Sequence, residues 1–316
     1  MSPASLRWLS TLGLVAVCTV WGGTFVMVKD AVSAYPAWSF IGLRFLIATI
    51  AFALIFPKTF RLFEPGTLRA GLVAGVFLTA GYVLQTLGLA ETSPSKAAFI
   101  TGMFVVITPF MQAVFMRRMP RWTAWLGVAT AVAGLWLLSG GGSLGGWNRG
   151  DTLVLLCAVA YSAHMIVLGS VGRHDARPLA FVQLATCALV TGTVGLLIER
   201  PPVPTGASLW TALLVTGVLA SAVAFAIQTY AQKHLSPTRT ALILICEPAF
   251  GGLFGWWLAH EQLGVRGWAG AALILAGMAA SEVLAVVVAR KGEATVLEPS
   301  LEGPPAHLVE PVGEKP

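Results

Sequence analysis

Long apolar stretches separated by short polar connectors dominate the chain. Seven of them carry no Asp, Glu, Lys or Arg, at residues 8–28, 70–90, 97–116, 122–148, 152–172, 178–198 and 201–232. A helix of about 20 apolar residues crosses the roughly 30 Å hydrocarbon core of a bilayer, and each stretch is that long. Three more stretches are interrupted by one charge, at Arg44, Glu247 or Glu282. The pattern predicts ten spans, near 8–28, 37–56, 68–90, 95–116, 122–139, 152–170, 178–198, 208–231, 238–259 and 266–289.

The composition agrees with a membrane protein and excludes several other classes. The 316 residues are 56% hydrophobic and 11% charged, with a mean hydropathy of +0.79, whereas a soluble domain is about a quarter charged. A cytosolic enzyme, a secreted disulfide scaffold and a nucleic-acid-binding module are excluded. The four cysteines lie inside apolar stretches without metal-ligand spacing, so we predict buried apolar side chains. The first stretch lacks a small-residue cleavage pattern, and we expect it to be retained as a span.

The positive charges predict the orientation, because Lys and Arg concentrate on the cytoplasmic side. With the N-terminus inside, thirteen fall inside, namely Arg7, Lys58, Arg61, Arg69, Arg117, Arg118, Arg121, Arg173, Arg177, Lys233, Arg239, Arg290 and Lys291. Five fall outside, namely Lys29, Lys96, Arg149, Arg200 and Arg266. Both termini are therefore predicted to be cytoplasmic.

The chain also repeats itself. Shifted by 143 residues, 82–134 matches 225–277 at eleven identical positions, among them Gln85 with Gln228 and the Ser-Pro pairs at 93–94 and 236–237. Each unit holds five spans, an odd number, so the second unit enters the membrane from the opposite side. This predicts an all-α fold of two inverted five-helix repeats at 1–140 and 151–291, joined by a Gly-rich linker at 141–150. Residues 292–316, rich in Pro and Glu, are predicted to be a disordered cytoplasmic tail. Inverted repeats recur in secondary transporters, whose binding site lies between the halves.

Several segments resemble one transporter family. They read VWGGTFVMVK at 20–29, GLRFLIA at 42–48, ETSPSKAAFITGMFVVITPF at 91–110, LSPTRTALILICEPAFGGLFGWWLAHEQLG at 235–264 and GAALILAGM at 270–278. Together they resemble the EamA-like branch of the drug/metabolite transporter superfamily, ten-span permeases with two five-span repeats. The chain departs from many relatives at 260–263, where it reads His-Glu-Gln-Leu instead of Gly-Glu-Arg-Leu. The resemblance implies transport of small metabolites, often export.

Ionisable residues inside a span are the first candidates for function, because a bilayer makes them costly. Glu247 lies about nine residues into span nine, roughly 14 Å along the helix and near the midplane. Pro248 predicts a kink there, since its missing N–H frees the carbonyl of Leu244. The carboxylate either binds a cationic group, carries a proton, or accepts hydrogen bonds that hold the kink. For Arg44 we expect snorkelling toward the headgroups or structural pairing, with binding of a solute carboxylate as the alternative.

Neutral polar and aromatic residues inside spans form a second group of candidates. The predicted solute-binding set is Glu247, His164, Trp21, Tyr82, Gln85, Gln228 and Arg44. Packing against neighbouring helices is the alternative for each of them. The predicted hinge and gating set is Pro248, Pro109, Gly251, Lys29 and Lys96. Glu282 lies inside span ten, about one turn from its cytoplasmic end, so that a small shift of the boundary would place it in the interface.

No catalytic or nucleotide-binding motif accompanies these residues, and the Gly-rich text at 140–146 lacks the Lys-Ser/Thr ending of a phosphate loop. We therefore predict a secondary or facilitative transporter of amino-acid-like or drug-like metabolites, not an enzyme. It works without a cofactor, metal or nucleic acid, in contact with lipids in the cell (inner) membrane. Export by alternating access is favoured. Import, amphiphile flipping and a non-transporting scaffold or sensor remain alternatives. Proton coupling and homo-oligomerisation stay open.

Overall fold

The chain folds into apolar helices joined by short turns. The computed structural model describes residues 3–92, 94–139, 147–258 and 264–297, and no strand occurs within these ranges. Its helices are α1 (Pro3–Ala34), α2 (Ala37–Ile55), α3 (Thr67–Glu91), α4 (Pro94–Gly102), α5 (Phe104–Met116), α6 (Trp122–Leu138), α7 (Arg149–Ser170), α8 (Ala176–Val194), α9 (Ala207–Gly217), α10 (Ala224–Ala231), α11 (Pro237–Leu244), α12 (Cys246–Leu258) and α13 (Val265–Leu297). A 3₁₀ turn follows α2 at Pro57–Arg61, and π-helical segments follow α8 at Gly195–Glu199 and join α9 to α10 at Val218–Val223.

Eight helical segments in the described ranges are long and apolar enough to cross a membrane. They are Ala4–Thr24, Ala37–Ile55, Thr67–Glu91, Ala97–Met116, Arg149–Ser170, Ala176–Glu199, Ala207–Ala231 and Val265–Leu284, and Trp122–Leu138 is a shorter apolar helix. The chain is therefore an all-helical, multi-pass membrane protein. The ninth predicted span, which corresponds to α11 and α12, is not among the eight. The count of ten spans stays a prediction.

Several boundaries differ from the sequence expectation. The helix α1 continues to Ala34, beyond the predicted end at 28. The helix α7 begins at Arg149, inside the predicted linker, because Asn148 and Asp151 form a reciprocal capping box with bonds of 2.9 and 2.7 Å. The helix α13 includes residues 292–297, which the sequence pattern assigns to the tail. Residues 140–146, 259–263 and 298–316, which hold most of the linker and tail predictions and the 260–263 segment, lie outside the described residues.

The helices of the two halves interdigitate. The helix α3 packs along α7 and α8, α2 along α8, α6 along α13, and α1 along α10 and α12. Under the 143-residue shift α1 corresponds to α7 and α3 to α10, so the α3–α7 and α1–α10 contacts are equivalent. A Cβ on Gly71 or Gly75 of α3 would lie 2.6 Å from the Cβ of Val182 or Thr186 of α8. Glycine at both positions therefore allows α3 and α8 to approach closely.

The predicted fourth and ninth spans are both interrupted near their middle. The first breaks at Met103, between α4 and α5, and the second breaks at Ile245, between α11 and α12. The two breaks touch, because a Cβ on Gly102 would lie 3.0 Å from Cδ1 of Ile245. Discontinuous helices at corresponding positions of two repeats are typical of the binding sites of transporters.

Candidate functional site

A cavity lies between the two halves, at the level of the helix breaks. Its empty volume, with the open mouth included, is about 1050 Å³. All seven residues of the predicted solute-binding set line it: Trp21, Arg44, Tyr82, Gln85, His164, Gln228 and Glu247. Other lining residues, among them Thr101 and Met165, carry no sequence signal that distinguishes them.

The cavity extends toward one end of the helix bundle. Its lining reaches Val32 near the end of α1 and Leu89 near the end of α3. At the opposite end, where α3 and α11 begin, side chains join the halves. There the Oε1 atom of Gln112 accepts hydrogen bonds from the backbone N and Oγ1 of Thr238, at 3.1 and 3.0 Å. The cavity is thus closed at the end where α11 begins.

The lining residues come in repeat-related pairs. Positions separated by 143 residues face the cavity in five cases, which are Trp21 and His164, Tyr82 and Phe225, Gln85 and Gln228, Thr101 and Leu244, and Phe104 and Glu247. The two halves therefore present the same surfaces to a shared space. The side chains differ in four of the five pairs, and this makes the cavity chemically asymmetric.

The helix break positions Glu247 on the cavity wall. Glu247 and Pro248 lie in the first turn of α12, where a proline removes no helical hydrogen bond. The break leaves carbonyls of α11 without their helical partners, and the Cys18 thiol lies 3.4 Å from the carbonyl of Ile243 and 3.7 Å from that of Leu244. Cys18 is thus a hydrogen-bond donor as well as a buried side chain. Within the described residues, no group forms a hydrogen bond or an ion pair with the Glu247 carboxylate.

Arg44 does not snorkel toward the headgroups. Its side chain is 5% exposed and turns into the bundle. Nε donates to Oγ of Ser221 at 2.9 Å, and Nη2 donates to the Tyr82 hydroxyl at 3.3 Å and to the carbonyl of Ala220 at 3.4 Å. The guanidinium carbon also lies 5.0 Å from the centroid of the Tyr82 ring. The paired interpretation of Arg44 therefore holds, because polar partners on α3 and on the Val218–Val223 segment satisfy a guanidinium that lipid cannot.

The π-helical segment supplies a carbonyl that the sequence does not reveal. The Ala220 carbonyl accepts from Nε1 of Trp21 at 2.7 Å and from Nη2 of Arg44 at 3.4 Å. A π-helical turn exposes such carbonyls and is frequent at functional sites. Through the Ala220 carbonyl, the π-helical turn joins α1 and α2 to the α9–α10 span at one point beside the cavity.

Amide side chains connect the remaining polar lining. Gln85 donates to Thr101 at 3.4 Å and accepts from the Tyr161 hydroxyl at 3.3 Å. His164 pairs through Nε2 with Oε1 of Gln183 at 2.7 Å. Aromatic rings complete the wall, with centroid distances of 5.7 Å for Trp21 and Phe225, 6.2 Å for Tyr82 and Phe225, and 5.9 Å for Tyr82 and Tyr161.

The predicted hinge and gating residues do not gather at one place. Pro109 is buried inside α5, six residues after the break at Met103. Gly251 packs against α1, but a Cβ on it would have 3.9 Å to its nearest neighbour, whereas one on Gly22 would lie 2.6 Å from the Gly251 nitrogen. Lys29 is exposed within α1. The side chain of Lys96 lies outside the described part of the structure.

Glu282 is buried between helices. Its carboxylate forms a bidentate ion pair with Arg239, with Nε 2.6 Å from Oε1 and Nη2 bonded to Oε2, and it accepts from Thr11 at 3.3 Å. The partner lies 43 residues away along the chain, at the start of α11, so the sequence around Glu282 does not reveal it. The pair joins α1, α11 and α13 at the closed end of the cavity.

Comparisons with known proteins give one family for the whole helical part of the chain. The model of the EamA-like transporter family matches twice, at residues 8–140 and 148–281. An uncharacterized transporter of Archaeoglobus fulgidus is 30% identical over 270 residues, covering 85% of this chain and 84% of the relative. The uncharacterized inner membrane transporter YedA of Escherichia coli K12 is 26% identical over 267 residues, covering 81% and 84%. An S-adenosylmethionine/S-adenosylhomocysteine transporter of Chlamydia trachomatis is 26% identical over 263 residues, covering 77% and 80%. A crystal structure with 19% identity superposes with a TM-score of 0.75 over 88% of this chain and 98% of that one, a likeness of fold.

Proposed function

Because the chain belongs to the EamA-like transporter family, we propose that it exports small organic metabolites across the inner membrane by alternating access. In this proposal ten spans form two inverted five-helix repeats, and both termini are cytoplasmic. One observation carries the proposal, namely a cavity between the halves that is lined by repeat-related residues of both. A solute bound there contacts both halves and is released to the other side when the halves rearrange.

The charges of the cavity support a solute with a polar end. Arg44 and Glu247 both line it, and no ion pair of 4.0 Å or less joins them. The Glu247 carboxylate and Nη1 of Arg44 are therefore available to solute groups of opposite charge, while the aromatic rings suit the apolar part of the solute. Amino-acid-like and drug-like molecules have this combination. The name of the Chlamydia relative adds a nucleoside-linked amino acid to the solutes worth testing.

The closed end suggests how access alternates. The Gln112–Thr238 and Arg239–Glu282 contacts close the end at which α11 begins. With the predicted topology this end is cytoplasmic, so the conformation is an outward-facing one. Release of these contacts opens the cavity to the cytoplasm, where an exported solute enters.

Glu247 is the carboxylate that we propose to act in transport, by contacting the solute or by exchanging a proton. Glu247→Gln keeps the size of the side chain but removes its charge. The matched control is Glu91→Gln, which changes a carboxylate outside the cavity that pairs at 3.6 Å with the exposed Arg149. We expect only Glu247→Gln to lose flux or the pH dependence of flux. Equal rates and equal pH profiles for the two variants would assign Glu247 a structural role.

Metabolite profiling tests the function whatever the identity of the solute. The chain is overexpressed in a bacterial host, metabolites are profiled in cells and medium, and solutes enriched in the medium are tested in proteoliposomes. We expect a selective rise of a few metabolites in the medium and saturable flux of at least one of them. Accumulation inside the cells would indicate import. Background flux for the whole panel, with folded protein present, would leave the proposal without support.

A further inference from the structure

Some polar atoms of the cavity wall form hydrogen bonds within the protein, and others have no partner there. Three acceptors have no hydrogen-bond partner within the described residues: the Glu247 carboxylate, Oε1 of Gln228 and Nδ1 of His164. Two donors of the wall are used, since Trp21 donates to Ala220 and Gln85 to Thr101. Nη1 of Arg44 forms no hydrogen bond to a described residue, and the Tyr82 hydroxyl accepts from Arg44 without donating to a described residue. The unused hydrogen-bonding capacity therefore includes these two donors as well as the three acceptors, one of which is a carboxylate.

A buried amide behind the wall orients Gln228. Nε2 of Gln228 donates to Oε1 of Gln232 at 3.4 Å, and Nε2 of Gln232 donates to the carbonyl of Met165 at 2.9 Å. A carbonyl only accepts, so this chain fixes both amides. Oε1 of Gln228 is left over on a side chain that is 3% exposed. A buried acceptor without a partner is costly, and a solute N–H would relieve that cost.

A second buried amide orients His164 in the same sense. Nε2 of Gln183 donates to Oγ1 of Thr229 at 2.8 Å, which turns Oε1 of Gln183 toward Nε2 of His164 at 2.7 Å. With the Gln183 amide oriented in this way, Nε2 of His164 carries the proton, and Nδ1 of the neutral ring is an acceptor. Gln183 is fully buried and does not line the cavity. Both amides thus make their cavity neighbours acceptors.

We propose that this wall recognises a hydrogen-bond-donating ammonium group, so that the solute is a primary or secondary amine, and that Gln183 and Gln232 are its positioning residues. The inference rests on the proposed transport function for the use of the cavity, and it narrows the class of solute. A fully methylated ammonium carries the same charge and can sit on the aromatic rings, but it has no N–H for the three acceptors. A solute whose only charged group is an anion meets these three acceptors as well as Arg44, so we expect it to bind more weakly than the amine.

Three probes of similar apolar size separate these cases. They are 2-phenylethylamine, its N,N,N-trimethyl derivative and 3-phenylpropionate, titrated against the purified full chain in detergent by calorimetry. We expect the amine to bind at least about tenfold more tightly than the trimethyl probe, because bonds from a charged donor are lost on methylation. We expect the carboxylate to bind most weakly.

Two variants test the positioning residues. Gln183→Met and Gln232→Met keep the volume but free His164 and Gln228 to turn their donors toward the cavity. We expect the preference for the amine over the trimethyl probe to fall by about fivefold in each, with the affinity for the trimethyl probe unchanged. Thr191→Val is the matched control, because Thr191 is a buried polar residue of α8 that donates to the carbonyl of Cys187 at 2.6 Å and does not line the cavity. It should keep the wild-type preference.

The outcomes separate this inference from the proposed function. Equal or tighter binding of the trimethyl probe or of the carboxylate by the wild type would overturn it, and so would binding of none of the three. Unchanged preference in both variants would overturn the role of Gln183 and Gln232. If a variant does not fold, Gln228→Met gives the same test at the acceptor itself. Amine selectivity without flux in proteoliposomes would refute transport but keep the inference about the solute. Flux without amine selectivity would support transport but refute that inference.

Discussion

The ion pair between Arg239 and Glu282 should hold the closed end of the cavity together. The side chains are 20% and 6% exposed, and the two bonds are charge-assisted and bidentate, the strongest geometry for such a pair. Glu282→Gln removes the charge and leaves the guanidinium of Arg239 with a neutral amide. Thr11 keeps an acceptor in the amide oxygen, so the third contact is largely unchanged.

The size of the effect follows from burial. Removing one partner of a buried ion pair costs about 3–5 kcal/mol, because the other charge remains buried. Arg239 retains partial exposure, so we expect the lower end, about 3 kcal/mol. For a chain of this size the loss corresponds to a fall of roughly 6–12 °C in the unfolding midpoint. If the closed end opens without unfolding of the protein, the same loss of about 3 kcal/mol shifts the equilibrium between the closed and open conformations by about a hundredfold.

The four buried cysteines provide the assay. Cys18, Cys157, Cys187 and Cys246 are free and buried, so a thiol-reactive fluorescent dye reports unfolding as the protein is heated. The matched cycle consists of Arg239→Met, Glu282→Met and the double variant, which has no unpaired charge. We expect the double variant to be more stable than either single variant, because a like-sized apolar pair is tolerated where a lone charge is not. A Glu282→Gln midpoint within about 1 °C of wild type, or a double variant no better than the singles, would refute the reasoning.

Three further predictions address the fold. Cys18→Ala should cost about 1 kcal/mol more than Cys18→Ser, since serine keeps a donor for the carbonyls freed at the helix break; equal midpoints in the same dye assay would contradict this. Gly22→Ala should destabilise the protein by about 1–3 kcal/mol, because the new Cβ would lie 2.6 Å from the backbone of α12. Gly251→Ala at the same contact should be tolerated. Equal losses of stability in the two variants would show that α1 does not pack on α12 as described. Reporter fusions at residues 119 and 292 should report the cytoplasm and a fusion at 148 the outside, and an external signal at 292 would exclude the predicted topology.

The sequence predicts the site better than the details of the helices. Polar residues inside apolar stretches must face protein or water, since lipid cannot satisfy them, and this requirement singles out Glu247, Arg44 and His164. The repeat then pairs Gln85 with Gln228, and the structure places all of these residues on one cavity. Local chemistry and internal symmetry are both readable from one chain, and they are sufficient for this part of the site.

The features that the sequence does not predict depend on contacts distant along the chain. The break at Met103 has no proline beside it and lies where Gly102 meets Ile245 of the other half. The π-helical turn that exposes the Ala220 carbonyl has an ordinary apolar sequence. The burial of Glu282 depends on Arg239, which lies in another span. Gln183 and Gln232 carry no local signal that distinguishes them from other buried amides.

Access to the cavity from one side at a time is the central claim, and the labelling of a single cysteine tests it most directly. Gln85→Cys on the cavity wall, in a background where the four native cysteines are replaced and Cys18 is replaced by serine, is exposed to a membrane-impermeant maleimide in right-side-out and in inside-out vesicles. We predict rapid labelling from the outer side in the parent variant, and a gain of labelling from the inner side when Glu282→Gln is added. Absence of labelling from both sides, or inner-side labelling that Glu282→Gln does not change, would contradict alternating access through this cavity.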